Sequence, residues 1–152
     1  MSAEAPSTYE ALRFVAARYA AGVDQRDKAL FLSAFTPDAV LTLPAVSGGT
    51  SRELHGHSEI ATVIDLISRY PRTFHVIGQA RYEFGSGGSA GEVYCVAHHI
   101  TPGQDSDLVM YVRYLDTYRC GGAPDNWLIA KRLVNIDWTQ TPPATASAQG
   151  QR

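Results

Sequence analysis

Four long stretches, Thr73–Phe84, Gly91–Thr101, Leu108–Arg119 and Trp127–Trp138, are rich in β-branched and aromatic residues and follow one another directly. They are separated only by GSGGS, TPGQDSD and CGGAPDN, whose Gly, Pro, Asn and Asp residues mark turns. Connections this short leave no room for a crossover helix. Neighbouring strands must therefore pair antiparallel, as a meander. The second half of the chain is committed to a sheet, and the first half must cover one of its faces.

The first half reads as helices. From Thr8 to about Val23, Leu12, Val15, Ala16, Tyr19, Ala20 and Val23 recur at helical spacing, with Arg13 and Arg18 off the stripe. Ser7 or Thr8 can cap this helix, and Glu10 suits its first turn. Gln25-Arg26-Asp27 breaks the pattern, and a second helix is expected from about Asp27 to Phe35, ended by Pro37-Asp38. Short strands are expected at Ala39–Leu43 and Ser51–Leu54, on either side of a Pro/Gly/Ser loop. A third helix starts at His57 or Ser58, buries Ile60, Val63, Ile64 and Ile67, and stops at Pro71. The expected architecture is α+β: three N-terminal helices close a curved antiparallel sheet into a cone around an apolar pocket. Residues 8–138 form one domain, with a flexible lead-in at 1–7 and a Pro/Ala/Ser/Gln-rich, disordered tail at 139–152.

Composition narrows the function classes. The chain has 152 residues, 45% hydrophobic and 18% charged, with a net charge of −2, enough apolar material for a core and no basic stripe for nucleic acid or anionic membrane. No apolar run reaches the roughly 18 residues of a membrane span. The N-terminus lacks the basic start and apolar stretch of a signal peptide, so a cytoplasmic location is expected. Cys95 and Cys120 form neither a disulfide framework nor a zinc motif. The histidine pairs His55/His57 and His98/His99 have no acidic companion in their local runs, so neither a metal nor another cofactor is expected.

Three segments carry a resemblance. RYAAGVDQRDKALFLSAFTPDAVL resembles the opening of SnoaL-like proteins of the nuclear transport factor 2-like (cystatin-like) superfamily. RTFHVIGQARYEF resembles the first long strand of scytalone dehydratase and hexachlorocyclohexane dehydrochlorinase, and YLDTYRCGGAPDNWLIAKRLVNIDW their closing hairpin. The likeness spans residues 8–138. It implies a catalytic Asp–His dyad at Asp24 and His75, with Arg132, five residues after Trp127, assisting. Bile-acid dehydratases, which belong to the same group, imply a role for Tyr19, five residues before Asp24. The turn GSGGSAG differs in length from that of these relatives, so a second pocket histidine falls on His98 or His99. His99 is the nearer candidate, because it shares parity with Val93, Cys95 and Ala97. Met110 and Tyr114 match pocket-lining positions, Leu66 and Tyr70 would form another wall, and Leu41 is also assigned to substrate binding. The second tyrosine of scytalone dehydratase has no counterpart near Leu41–Leu43.

The chemistry of these residues agrees with that implication. An imidazole titrates near ~6.5 and can both accept and return a proton. A carboxylate on one ring nitrogen fixes its tautomer and stabilises the imidazolium. Such a pair suits elimination or isomerisation of a small apolar cyclic compound without a cofactor. The alternatives are epoxide hydrolysis, ketosteroid-isomerase-like double-bond migration by a carboxylate base, and a non-catalytic ligand-binding or assembly subunit. A homodimer or homotrimer is expected from the apolar outer sheet face.

Residue by residue, structural roles compete with functional ones. Asp24 could simply end a helix, Arg132 could form an ion pair, and Tyr19 could be core. Strict strand alternation groups His75 with Gln79, Arg81 and Glu83, opposite Phe74, Val76, Tyr82 and Phe84, which is a surface pattern. An inward His75 requires a bulge or bend, with Gly78 the candidate position.

Overall fold

The computed structural model describes residues 8–45, 48–85, 88–123 and 126–145. Its helices are α1 (Thr8–Gln25), α2 (Lys28–Leu32), α3 (Gly56–Ile60) and α4 (Thr62–Ile67). Its strands are β1 (Phe35–Leu43), β2 (Arg52–His55), β3 (Arg72–Gly85), β4 (Gly88–Ile100), β5 (Asp107–Cys120) and β6 (Trp127–Gln140). The six strands form one curved, unclosed sheet in the order β2-β1-β6-β5-β4-β3. The meander β3 to β6 is antiparallel as expected, but β1 runs parallel to β6, so the sheet is mixed. The long excursion through α3, α4 and four strands between β1 and β6 makes that parallel pairing possible.

The apolar stripe of α1 packs onto the inner face of the sheet, burying Leu12, Val15, Ala16, Tyr19, Ala20 and Val23. Its C-terminus is a Schellman motif. Arg26 takes the left-handed conformation (φ 58°), Asp27 N–H donates to the Gly22 carbonyl (2.9 Å), and Arg26 N–H to Val23 (3.2 Å). Asp27 then caps α2 by accepting from Leu30 N–H (2.9 Å). A Cβ at Gly22 would lie 2.5 Å from the Phe31 backbone nitrogen, so the tight α1–α2 corner admits only glycine there. The second helix ends at Leu32 and β1 begins at Phe35, earlier than the pattern suggested. The third helical stretch is divided at Ala61 into α3 and α4.

Four register breaks shape the sheet, one of them between Phe35 and Val40 in the β1–β6 pairing. In β3, Ile77 faces Cys95 but Ala80 faces Val93, so Gly78 and Gln79 together oppose Tyr94. Upstream of this bulge Thr73, His75 and Ile77 point inward, leaving Phe74 (65% exposed) and Val76 (44%) outside. Downstream, Ala80 and Tyr82 take the inner face. Two more breaks in the β5–β6 pairing, beside Ala130 and Asp137, reset β6 so that Ile129 and Arg132 are both buried.

Phe74, Val76, Leu115, Leu133 and Trp138 are exposed. Of the residues expected to be a tail, 139 and 140 complete β6. Asp107 N–H donates to Pro142 (3.0 Å) and Ala144 N–H to Asp105 (2.9 Å). Residues 1–7 and 146–152 lie outside the described residues. Among the described residues, no helix is long and apolar enough to cross a membrane.

Candidate active site

Asp24 occupies the last turn of α1, where the Schellman corner aims it at the start of β3. Its Oδ1 accepts from the His75 ring at Nδ1 (2.7 Å) and from the Thr73 hydroxyl (2.9 Å), and its Oδ2 accepts from the His75 backbone N–H (2.8 Å). The imidazole is 6% exposed and the carboxylate 21%. Burial alone would raise the Asp24 pKa, but these hydrogen bonds and the neighbouring imidazole outweigh it and hold the carboxyl below its ordinary range. With Nδ1–H donated to the carboxylate, Nε2 carries the ring's lone pair.

Behind the dyad lies Arg26. Its guanidinium donates to the Thr73 hydroxyl (2.8 Å), to the Val23 carbonyl (2.7 Å) and to the Tyr70 carbonyl (2.8 Å). Thr73 therefore accepts from Arg26 and donates to Asp24. The arginine ties the end of α1 to the segment entering β3.

His75 lines a cavity of about 390 Å³ between the helices and the sheet. Tyr19, Leu66, Tyr70, His99, Met110 and Tyr114 line the same space, with aliphatic walls from Val23, Val63, Ile67, Val112, Val134 and Ile136. His99 meets His75 edge-to-face (ring centroids 5.7 Å) and packs on Tyr70 (5.0 Å). Its Nδ1 donates to the Leu108 carbonyl (3.1 Å), which leaves Nε2 as an acceptor. Burial, then proximity to His75, push its pKa down to about 4, so it is neutral at pH 7. Burial raises the hydroxyl pKa values of Tyr19 and Tyr114 and keeps both protonated. Burial likewise raises the Cys95 thiol to about 11, which makes it a poor nucleophile.

Residues 5–133 match the model of the SnoaL-like domain. The chain belongs to the SnoaL-like family. Among curated proteins, none matches the sequence. Several solved structures share the fold. Hexachlorocyclohexane dehydrochlorinase LinA-type3 from Novosphingobium barchaimii LL02 is 16% identical, with 89% of this chain and 90% of that one covered and a TM-score of 0.75. Hexachlorocyclohexane dehydrochlorinase LinA type 2 is 17% identical over 94% and 95%, with a TM-score of 0.78. ActVI-ORFA from Streptomyces coelicolor is 18% identical over 85% and 96%, with a TM-score of 0.69.

Within this SnoaL-like frame, two expected site residues need correction. Leu41 does not line the cavity. It is fully buried in the main core, beside Arg132 in the β1–β6 register. Arg132 does not line the cavity either, and it is held in an ion pair. Asp116, its cross-strand neighbour on β5, takes the guanidinium in a bidentate pair (2.8 and 2.7 Å), and Tyr118 donates to the same carboxylate (2.7 Å). The guanidinium carbon lies 4.3 Å from the Tyr19 ring centroid and 4.0 Å from that of Tyr114. Arg132 Nη1 is buried without a hydrogen-bond partner, so these two aromatic faces are what it meets. His98 is on the opposite side of β4 from His99, where Nδ1 contacts Asp107 (2.7 Å).

Sequence reasoning passed over Thr73 and Arg26. The signal for Thr73 was the TFHV motif itself. For Arg26, no local pattern marks a non-glycine residue at a left-handed helix end.

Proposed function

We propose that this SnoaL-like protein is a cofactor-independent lyase, a dehydratase or a related elimination catalyst, or an isomerase, acting on a small apolar cyclic compound. The Asp24–His75 contact at the wall of an apolar cavity carries this reading. His75 Nε2 removes a proton next to a carbonyl or leaving group, and Asp24 holds the ring and stabilises its charged form. Tyr19 and Tyr114 offer protonated hydroxyls to developing negative charge, and neutral His99 accepts a hydrogen bond from the ligand. Arg132 acts from behind the wall, by fixing the two tyrosine rings. Met110, Leu66 and Tyr70 shape the apolar enclosure.

Two features weigh against a carboxylate base of the epoxide-hydrolase or ketosteroid-isomerase kind. Asp24 is engaged at both oxygens, and it does not line the cavity. The exposed apolar groups on the outer sheet face support self-association as a homodimer or homotrimer.

The test needs no knowledge of the natural substrate. Uncharged cyclic ketones such as 2-tetralone are incubated with the protein in D₂O, and exchange of the α-protons is followed by NMR. Exchange faster than in buffer, lost in His75→Gln, is the expected result. Absence of acceleration, or equal acceleration by the variant, defeats the proposal.

A further inference from the structure

The polar lining of the cavity is unbalanced in charge. Besides its two histidines, the charged side chains bordering it are Arg52, the first residue of β2, and Arg69, just past the end of α4. No Asp or Glu is among its lining residues, although the chain carries 15 acidic residues against 13 Lys and Arg. Elsewhere among the described residues, Arg13, Arg18 and Arg26 donate to backbone carbonyls, and four other arginines meet carboxylates. Arg81 meets Glu92, Arg113 meets Asp137, Arg119 meets Asp38 and Arg132 meets Asp116. Among the described residues, neither Arg52 nor Arg69 has a carboxylate within ion-pair distance.

Arg69 is also held in place. It donates to the Tyr70 hydroxyl (3.0 Å), and its guanidinium carbon lies 4.9 Å from that ring's centroid. Tyr70 packs on His99 at 5.0 Å, and His99 meets His75 at 5.7 Å. Three side-chain contacts thus connect an exposed cation to the buried imidazole.

We propose that the ligand of this cavity is an apolar ring compound with an oxyanion tail, a carboxylate or a phosphate, which Arg52 and Arg69 hold at the mouth while the ring faces His75. This rests on the proposed function and names its substrate class. The two cations stay solvated at the rim, so they select the tail and orient the ring without the cost of burying unpaired charge.

The experiment compares 2-naphthylacetate and 2-naphthyl phosphate with the uncharged 2-naphthylacetamide. Binding is measured by calorimetry at low salt, and the His75 and His99 ring signals in NMR locate it. At least one anion should bind about tenfold more tightly than the amide, as expected of two rim contacts near ~0.7 kcal/mol each, and the tighter anion identifies the tail. Arg52→Gln/Arg69→Gln, checked for an unchanged melting temperature, should bring anion and amide to within about twofold. Equal affinities in the parent protein, a preference that survives the double substitution, or binding that leaves both ring signals unmoved would each overturn the proposal. The 2-tetralone exchange assay uses an uncharged ketone. A loss of anion preference with exchange intact therefore removes this inference alone, whereas a loss of exchange removes the catalytic reading.

Discussion

Thr73 stands between Arg26 and Asp24, accepting from the guanidinium at 2.8 Å and donating to the carboxylate at 2.9 Å. The hydroxyl orients the partner of the proposed general base, and the arginine orients the hydroxyl. Thr73→Val preserves shape and removes both bonds. We expect it to slow ketone exchange by about tenfold, the effect of losing one hydrogen bond to a charged group, while Thr73→Ser stays near the parent rate. Equal rates for all three proteins would exclude a positioning role.

Arg26 contributes a guanidinium from a backbone conformation that disfavours side chains. Arg26→Ala loses the hydrogen bonds and keeps the strain, whereas Arg26→Gly loses the bonds and relieves it. Urea unfolding should therefore find the alanine variant less stable than the glycine variant by about 1 kcal/mol. The reverse order would mean that the left-handed corner is not a feature of the folded protein.

Asp24→Asn keeps an acceptor near His75 but removes the charge, and an amide can present its NH₂ to the ring in place of an oxygen. Exchange should fall by about 10²–10⁴-fold, in line with loss of the correct tautomer in comparable dyads. Stability should change little by comparison. A rate within a few-fold of the parent would mean that the carboxylate is only structural.

Acid should destabilise the fold through His99. Its folded pKa of about 4 lies below the ordinary 6.5, so between those values the unfolded chain carries a proton that the folded one lacks. The resulting stability is fully present above pH 6.5 and is lost as pH falls toward 4. Going from pH 7 to 5 should cost about 2 kcal/mol at this residue, and His99→Gln should lose that part of the slope. Identical slopes in the two proteins would refute the assignment.

The Arg132–Asp116 pair should dominate any mutational survey of β5 and β6. Asp116→Asn leaves a buried guanidinium without its counter-charge, at a cost of about 3–5 kcal/mol. Replacing both partners, as Arg132→Met with Asp116→Leu, should recover much of that loss. A double variant as unstable as the single one would indicate that the aromatic contacts, rather than the ion pair, hold this layer together.

Much of this arrangement was legible from residues alone. The stripe from Leu12 to Val23 gave α1, and the turn clusters gave the four-strand meander, because both signals are local and strong. Asp24 and His75 were found through family likeness, whereas the alternation around His75 pointed outward. That pattern misled because it assumes one parity along the whole strand, and parity fails at Gly78-Gln79. Phe74 and Val76 then become surface residues despite their chemistry. Arg132 was singled out, with an ion pair as one reading, but its partner was not found. Asp116 is its direct cross-strand neighbour, a relationship that appears only once the hairpin register, with its bulge near Ala130, is known. Leu41 was misassigned because a buried position and a pocket position look alike in a linear pattern.

The irregularity at Gly78-Gln79 makes the proposed chemistry of this protein sensitive to chain length as well as to side-chain identity. Removing one residue there would force half of β3 to turn over, expelling either the imidazole from the cavity or Ala80 and Tyr82 from the core. For SnoaL-like chains aligned to this one, a single-residue gap a few positions after TFHV would therefore signal loss of the proposed centre even where counterparts of Asp24 and His75 are kept.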